Sequence, residues 1–493
     1  MKHTIVFLLL LAVPGSVAFA QVESLPPPVV HGNSFEIISN SRYSAHSGFT
    51  SSLSDTVLSN VLWAMNRVPS FGSSYREFYV ATPTNVYLYD SVAHALNVHL
   101  AGNHRYSANS AFEVGIAVER HEEAGLAVQA GLLAGDAFWS HGSGTVISCP
   151  MAFAANYANS NWNPTHTIKM VDVFGRMNVN GLTDSCVAIS SDSTLPRPNT
   201  NGADTFEVLV SGLGQDSAFD VIGVELSALS QLLWAGYGVT PHMPISKRGL
   251  TIPSAVAYYY LTRKIYLVRD IGVDRYNNRL PPGTNLATSD HRLEVVTPGD
   301  RRTALRAACP GIPSEAPVYI VVCVSDTTDA WMLQEPGFVG FQYLMQAHAL
   351  GLHGRLTAPI TPSERTAIIA ALGLPSADLP VLIFTAGWPS MPGVAESACL
   401  PNERLEVAPI QGSGARLTYQ LAEPGPVRLV IYDLAGRPVR SWGVIQQSAG
   451  VHSFEWDGLG DNGRILPAGN YFCRLTIARA KPVRLTVRIT LTR

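Results

Sequence analysis

The sequence is poor in charge and holds no cationic cluster. Only 14% of its 493 residues are charged and the formal net charge is −3. Binding to nucleic acid or to an anionic membrane leans on grouped Lys and Arg, so this balance calls for neither partner. Global disorder is excluded too, because 46% of the residues are hydrophobic and can bury sizeable cores. The six cysteines (Cys149, Cys186, Cys309, Cys323, Cys399 and Cys473) include no CxxC pair and no Cys/His ligand spacing. Zinc needs clustered ligands, so these read as buried or incidentally paired thiols. His94, His99, His104 and His121 form no i, i+4 pair beside a glutamate, and HGSG at 141–144 is not a GxSxG elbow. No GxGxxG follows a strand in a domain of its own that would bind a dinucleotide.

What is present begins with an export signature. Lys2 and His3 precede an apolar run from Ile5 to Val13, and Ala18-Phe19-Ala20 gives the small-x-small pattern of a cleavage site before Gln21. Residues 1–20 therefore read as a signal peptide, and the mature chain as secreted or delivered to the cell envelope. No later apolar run approaches membrane-span length. Residues 21–33, containing SLPPPVVHGN, are Pro-rich without hydrophobic periodicity and read as a linker. A second break falls in PSMPGVAESACLPNE at 389–403.

Between these breaks the chain repeats itself. LSNVLWA at 58–64 recurs as LSQLLWA at 229–235, and in both segments the apolar residues fall at i, i+3 and i+4, one face of a helix. Pro69-Ser70 follows the first helix and Pro253-Ser254 the second, each leading into a β-branched and aromatic run suited to a strand. FEVGIAVE (112–119) and APVYIVVCVS (316–325) then read as buried strands, each followed by an apolar helix opened by Glu-x-Gly at Glu123 and Glu335. Helices apolar nearly all round belong in a core or an interface. The expected organisation is a repeat over 34–216, a second over 217–395, a linker at 396–404 and a separate unit over 405–493.

The order of these segments, with IISNSRYSAHSGF at 37–49 ahead of them, resembles the flavin-dependent nitroreductases. EPGFVGFQYLMQAHALGLHG and LPVLIFTAGWP resemble the azoline-oxidase-like, SagB-type branch. That resemblance implies an α+β fold working as a dimer with FMN across the interface, so a fused pair of repeats implies an internal pseudo-dimer in a monomeric chain. It implies phosphate contacts from Arg42, Ser44 and His46, and contacts along the flavin from Pro253, Ser254 and Ala255 of the opposite repeat. Gly351 and Gly354 fall on its turn near the ring. Arg42 offers planar charge-assisted donors. Tyr43 and His46 stand where the family usually has further cations, and DSAFDVIGVE ahead of the second repeat holds no Arg or Lys, with Lys247 and Arg248 the nearest substitutes. At most one complete FMN site is expected. Met332 and Leu333 follow Trp331 where the azoline-oxidase branch uses Lys-Tyr, and neither can move a proton. The implied activity is oxidoreduction of a small organic substrate, with catalytic residues unknown. The alternative is a non-catalytic surface or secreted binding protein on a degenerate version of the fold.

The tail is the plainest part. VRLVIYDLAGRPVRSW and FEWDGLGDNGRILPAGNYFCRLTI alternate apolar and polar residues between turn signals, the pattern of an antiparallel β-sandwich with Trp456 in its core. It closely resembles the FlgD-type Ig-like domain of exported bacterial proteins. The resemblance implies an accessory or type IX sorting module meeting export machinery or a cell-surface partner, in a bacterium.

Overall fold

The computed structural model describes residues 22–30, 32–42, 49, 52–138, 145–150, 152–177, 182–185, 187–189, 194–219, 223–224, 226–241, 249–253, 259–278, 288–389, 404–410, 414–433, 438–460, 463–477 and 483–491. The expected signal peptide lies outside them.

The first unit contains β1 (Val22–Ser24), α1 (Phe35–Ser41), α2 (Asp55–Asn66), β2 (Arg76–Ala81), β3 (Asn85–Asp90), β4 (Ala95–Ala101), β5 (Phe112–Val118), α3 (His121–Asp136), β6 (Thr145–Pro150), α4 (Ala152–Asn161) and β7 (Ile168–Met177). After a short β8 (Ala188–Ile189) come α5 (Phe206–Ser211), α6 (Leu226–Tyr237), β9 (Ile265–Arg269), β10 (Gly272–Asn277), β11 (Thr288–Ser289), β12 (Arg292–Pro298), α7 (Arg302–Ala308), β13 (Val318–Val324), α8 (Ala330–Ala349), β14 (His353–Thr357), α9 (Pro362–Leu372) and β15 (Leu379–Gly387). The first sheet runs β1-β4-β3-β2-β5-β7-β6 and the second β12-β10-β9-β13-β15-β14. Apart from β1, the two orders are the same when each strand is replaced by its counterpart.

The correspondence extends to single residues. β5 pairs with β7 through Val114↔Asp172 and slips register between Ile116 and Ala117, while β13 pairs with β15 through Ile320↔Phe384 and slips between Val322 and Cys323. The bulge stands at the same place in both, so Asp172 and Phe384 are equivalent positions. α2 and α6, the helices of the recurrent LSxxLWA segments, are both core elements: Leu62, Ala64, Leu233 and Ala235 are fully buried.

The units meet about a pseudo-two-fold axis. Ser34 and Thr205, the N-caps of α1 and α5, form an antiparallel bridge with each other, Phe35 N donating to Asp204 O and Phe206 N to Asn33 O, each at 3.2 Å. α3 and α8 touch through Gly125 and Gly337, the glycines of the two Glu-x-Gly segments. A Cβ on Gly125 would stand 2.2 Å from Gln334 O, and one on Gly337 2.1 Å from Glu122 O. Both obstacles are backbone, so only glycine permits the approach. Each residue meeting its own counterpart is the mark of an isologous interface, here inside one chain.

Two expectations shift. The Pro-rich segment read as a linker is strapped to the first unit: Val29 N donates to Asn60 Oδ1 at 3.0 Å, and Asn60 Nδ2 returns a bond to Val29 O at 2.8 Å. In the second unit Asn199 N donates to Gln231 Oε1 at 2.8 Å and Gln231 Nε2 to Asn199 O at 2.9 Å. Behind each strap stands the same relay. Ser59 donates to Pro26 O and meets His94 Nε2 at 2.7 Å, with Tyr89 OH 2.8 Å from His94 Nδ1. Ser230 donates to Pro196 O and meets His291 Nε2 at 2.7 Å, with Tyr276 OH 2.9 Å from His291 Nδ1. Residues 24–30 and 194–200 are thus equivalent straps, and α5 is the counterpart of α1. The second unit includes residues from Thr194 on, ahead of 217, because its strap and first helix precede that boundary.

The tail folds as two antiparallel sheets. β16 (Arg404–Pro409), β17 (Ala415–Leu421) and β20 (Gly450–Trp456) form one; β18 (Gly425–Tyr432), β19 (Pro438–Gln447), β21 (Gly469–Ile477) and β22 (Val483–Leu491) form the other. Trp456 is fully buried in the core cluster that also holds Leu417, Leu429 and Leu475, and its Nε1 donates to Leu459 O at 2.9 Å. It is a core residue. Cys309, Cys323 and Cys473 are buried free thiols.

Candidate functional site

Arg42 follows the last residue of α1 and is only 3% exposed. Its Nε donates to Leu250 O of the second unit at 3.0 Å. The next carbonyl, Thr251 O, accepts from Gln129 Nε2 of α3 at 3.4 Å and from Gln342 Nε2 of α8 at 2.8 Å. Arg42 and the segment leading into buried Pro253 therefore meet across the junction of the units. Ser44, His46, Ser254, Ala255, Lys247 and Arg248 lie outside the described residues.

Two acids that the sequence did not single out face this place. Asp136, the last residue of α3, and Asp172, in the middle of β7, are fully buried, and among the described residues no side chain bonds to their four carboxyl oxygens, the Val173 N–H being the donor turned toward Asp172. Burial pushes both well above the ordinary carboxylate range; the neighbouring Asp136 charge raises Asp172 further, and Arg42 pulls each the other way. In a low-dielectric site the pair limits its charge by holding protons, not by pairing. A lone Asp at the end of an apolar helix or within an apolar strand gives no periodic signal, which is why sequence reasoning passed over both.

The equivalent place in the second unit is built of different residues. Leu213 takes the position of Arg42, His348 that of Asp136, and Phe384 that of Asp172. Phe384 is fully buried and stacks on Tyr343 with ring centroids 5.2 Å apart. A Cβ on Gly212 would meet His348 Nε2 at 2.8 Å, so the end of α5 touches the end of α8 there. Arg67 Nη1 reaches Ser211 O at 3.4 Å, mirroring the contact of Arg42 with the other unit. The absence of a cation ahead of the second repeat now has a place: a leucine fills the position.

The two glycines and the first Pro-Ser loop have local duties. Gly351, at φ 71°, ends α8 with its N–H on His348 O at 3.0 Å. Gly354 lies under the Phe384 ring, which a Cβ would meet at 3.0 Å, and its N–H donates to Asp216 Oδ2 at 3.1 Å. Both belong to the second-unit locus and not to the Arg42 side. The loop after Pro69 is wound on fully buried Glu123, whose Oε2 accepts from Phe71 N at 2.9 Å and Ser73 Oγ at 2.9 Å while its Oε1 meets Arg76 Nη2 at 2.5 Å. Among the described residues no group of three or more His, Cys, Asp or Glu is placed to hold a metal.

An FMN phosphate asks this junction for net positive charge. The described residues offer one guanidinium, buried and already donating to a carbonyl, beside two buried carboxyls, and in the second unit a leucine. These described residues alone do not supply that charge, and the other residues the resemblance assigns to the phosphate, Ser44 and His46, lie outside them.

Residues 407–481 match the family model of the FlgD Ig-like domain, as the tail's pattern led one to expect. No curated protein matches the chain. Among solved structures, a candidate nitroreductase from Anabaena variabilis is 12% identical, with 77% of this chain and 94% of that one covered at a TM-score of 0.46. Another candidate nitroreductase, from Ralstonia eutropha, is 20% identical over 44% of this chain and 98% of that one, with a TM-score of 0.32. FlgD from P. aeruginosa is 26% identical over 17% of this chain and 65% of that one, with a TM-score of 0.15.

Proposed function

We propose that the chain is an exported, non-catalytic binding protein of the bacterial envelope or exterior, built on a duplicated nitroreductase-like scaffold and carried or attached through its FlgD-type tail. The observation behind this reading is the charge at the junction. Among the described residues the first unit offers one guanidinium, Arg42, beside two acids that burial keeps protonated, and the second has Leu213 in its place, with His348 the one side chain among Leu213, His348 and Phe384 able to donate to a phosphate oxygen. Burying a phosphate dianion beside a single guanidinium that already donates to Leu250 O leaves much of its charge unmatched, a cost one such cation does not return. The scaffold itself, with its matched registers and glycine crossing, is intact. In this reading the junction is structural, and binding belongs to the surfaces the two units display.

The test is the visible absorption of the purified mature chain, with extracted flavin quantified per chain, before and after incubation with FMN. Colourless protein that takes up none supports the proposal. Flavin near one per chain overturns it in favour of an oxidoreductase, and comparing Arg42→Ala with Arg248→Ala then assigns the site: loss with the first alone places it at Arg42. Export is checked separately, by finding the mature chain starting at Gln21 outside the cytoplasm.

A further inference from the structure

The loop between β4 and β5 is organised by a buried acid. Glu113 accepts from the backbone N–H groups of Tyr106 and Ser107, each at 2.7 Å, and from Ser110 Oγ at 2.9 Å. In the second unit the same strand position is Tyr319, whose hydroxyl donates to Pro313 O at 2.7 Å, so the loop there is tied differently. The turns around Glu113 hold Arg105, Asn109, Ser110 and Ala111 over Phe49, Ser52 and Pro83, and these seven residues line a cavity of about 230 Å³.

Its lining has one chemical bias. Arg105, Asn109 and Ser52 supply donors, none of the described lining residues is a carboxylate, though the Arg105 charge also acts on buried Glu113, and Phe49, Pro83 and Ala111 supply an apolar wall. Arg105 is fixed in place by its own loop: Nε donates to Asn103 Oδ1 at 3.1 Å and Nη1 to Ser110 O. With those two atoms held, the Nη2 edge keeps its hydrogens for a ligand, and a guanidinium edge matches the two oxygens of a carboxylate. At a liquid share of roughly 30 Å³ per water the space equals several waters, room for a compact molecule of about ten heavy atoms. We propose that this cavity binds a small organic monocarboxylate, its carboxylate on Arg105 with Ser52 and Asn109 and its apolar body against Phe49 and Pro83. The site lies in the first unit alone and is independent of whether flavin binds at the junction.

Titration calorimetry on the full mature chain with benzoate tests it, with benzamide and benzylamine as neutral and cationic counterparts of the same shape. Saturable benzoate binding is expected, at least tenfold weaker for benzamide and absent for benzylamine. Arg105→Gln should lose tenfold or more and Asn109→Ala a few fold, while Arg355→Gln in β14 should leave affinity unchanged. Benzoate that fails to bind, binds no better than benzamide, or binds Arg105→Gln as well as the parent overturns the proposal. Should Arg105→Gln unfold the loop, Ser52→Asp brings a negative charge to the rim without touching the loop's own bonds. Loss of benzoate by that variant supports the site, and undiminished binding sinks it.

Discussion

At equivalent positions of the two units, Arg42, Asp136 and Asp172 face Leu213, His348 and Phe384. The backbone around them is the same: matching strand order apart from β1, one register slip at the same place, matching straps and a shared glycine crossing. What was kept is what backbone sterics and hydrogen bonding demand. What diverged is side-chain polarity at the place where the resemblance expects a phosphate, one unit burying unpaired acids and the other packing an aromatic stack.

The comparison can be broken at its axis first. Gly125→Val or Gly337→Val drives a side chain into carbonyl oxygens that cannot retreat. Either should cost more than about 3 kcal/mol and abolish the cooperative melting transition of the 22–389 region. Survival of that transition would mean the helices cross elsewhere. Next, Phe384→Asp copies the first unit's acid into the second. With no cation at Leu213, it should cost about 3–5 kcal/mol by urea denaturation at pH 7, from lost packing and an unpaired buried carboxyl, with part recovered near pH 4.

The relays should behave as twins. Ser59→Ala and Ser230→Ala each remove a bond to a Pro carbonyl and one to a His ring, so each should cost about 1–2 kcal/mol. Costs that differ by more than that range would show that the straps are not equivalent. Burial holds His291 down at about 4 against an ordinary 6.5. A depressed His pKa means the unfolded chain takes up the proton first. The contribution of neutral His291 is therefore complete above pH 6.5 and is lost as pH falls towards 4, a slope that His291→Gln should flatten.

The smallest effect has the opposite sign. Asp172 has a raised folded pKa, so the folded chain holds more protons than the unfolded one above pH 3.8, and stability falls as pH rises from there. Asp172→Asn removes that term and should raise stability at pH 8 by about 1 kcal/mol while leaving pH 4 nearly unchanged. A loss at pH 8 would show that the carboxylate is ionised and held.

Much of this was legible in sequence. The LSxxLWA helices, the Glu-x-Gly helices and the β-rich tail each carry a periodic or turn pattern, and all three are where the pattern put them. The straps were not legible, because Pro-rich segments bury little surface and draw their order from Asn60, Gln231 and two serines far along the chain. α5 was missed because six residues make under two turns; the clue was Phe206-Glu207 repeating Phe35-Glu36. Arg42 was singled out for a phosphate contact, and the structure sets it against Leu250 O of the other unit. Its neighbours Asp136 and Asp172 come from distant elements, and only the fold brings them to it.

The Ser34–Thr205 bridge joins two halves that each began the same way. In a true homodimer one codon writes both sides of an interface, and any change at one site is made at the other. Here each half is written separately, so a residue can drift on one side while its twin keeps the contact alive. Two separately written faces can differ as the two sides of a homodimer cannot, and a leucine opposite an arginine is such a difference.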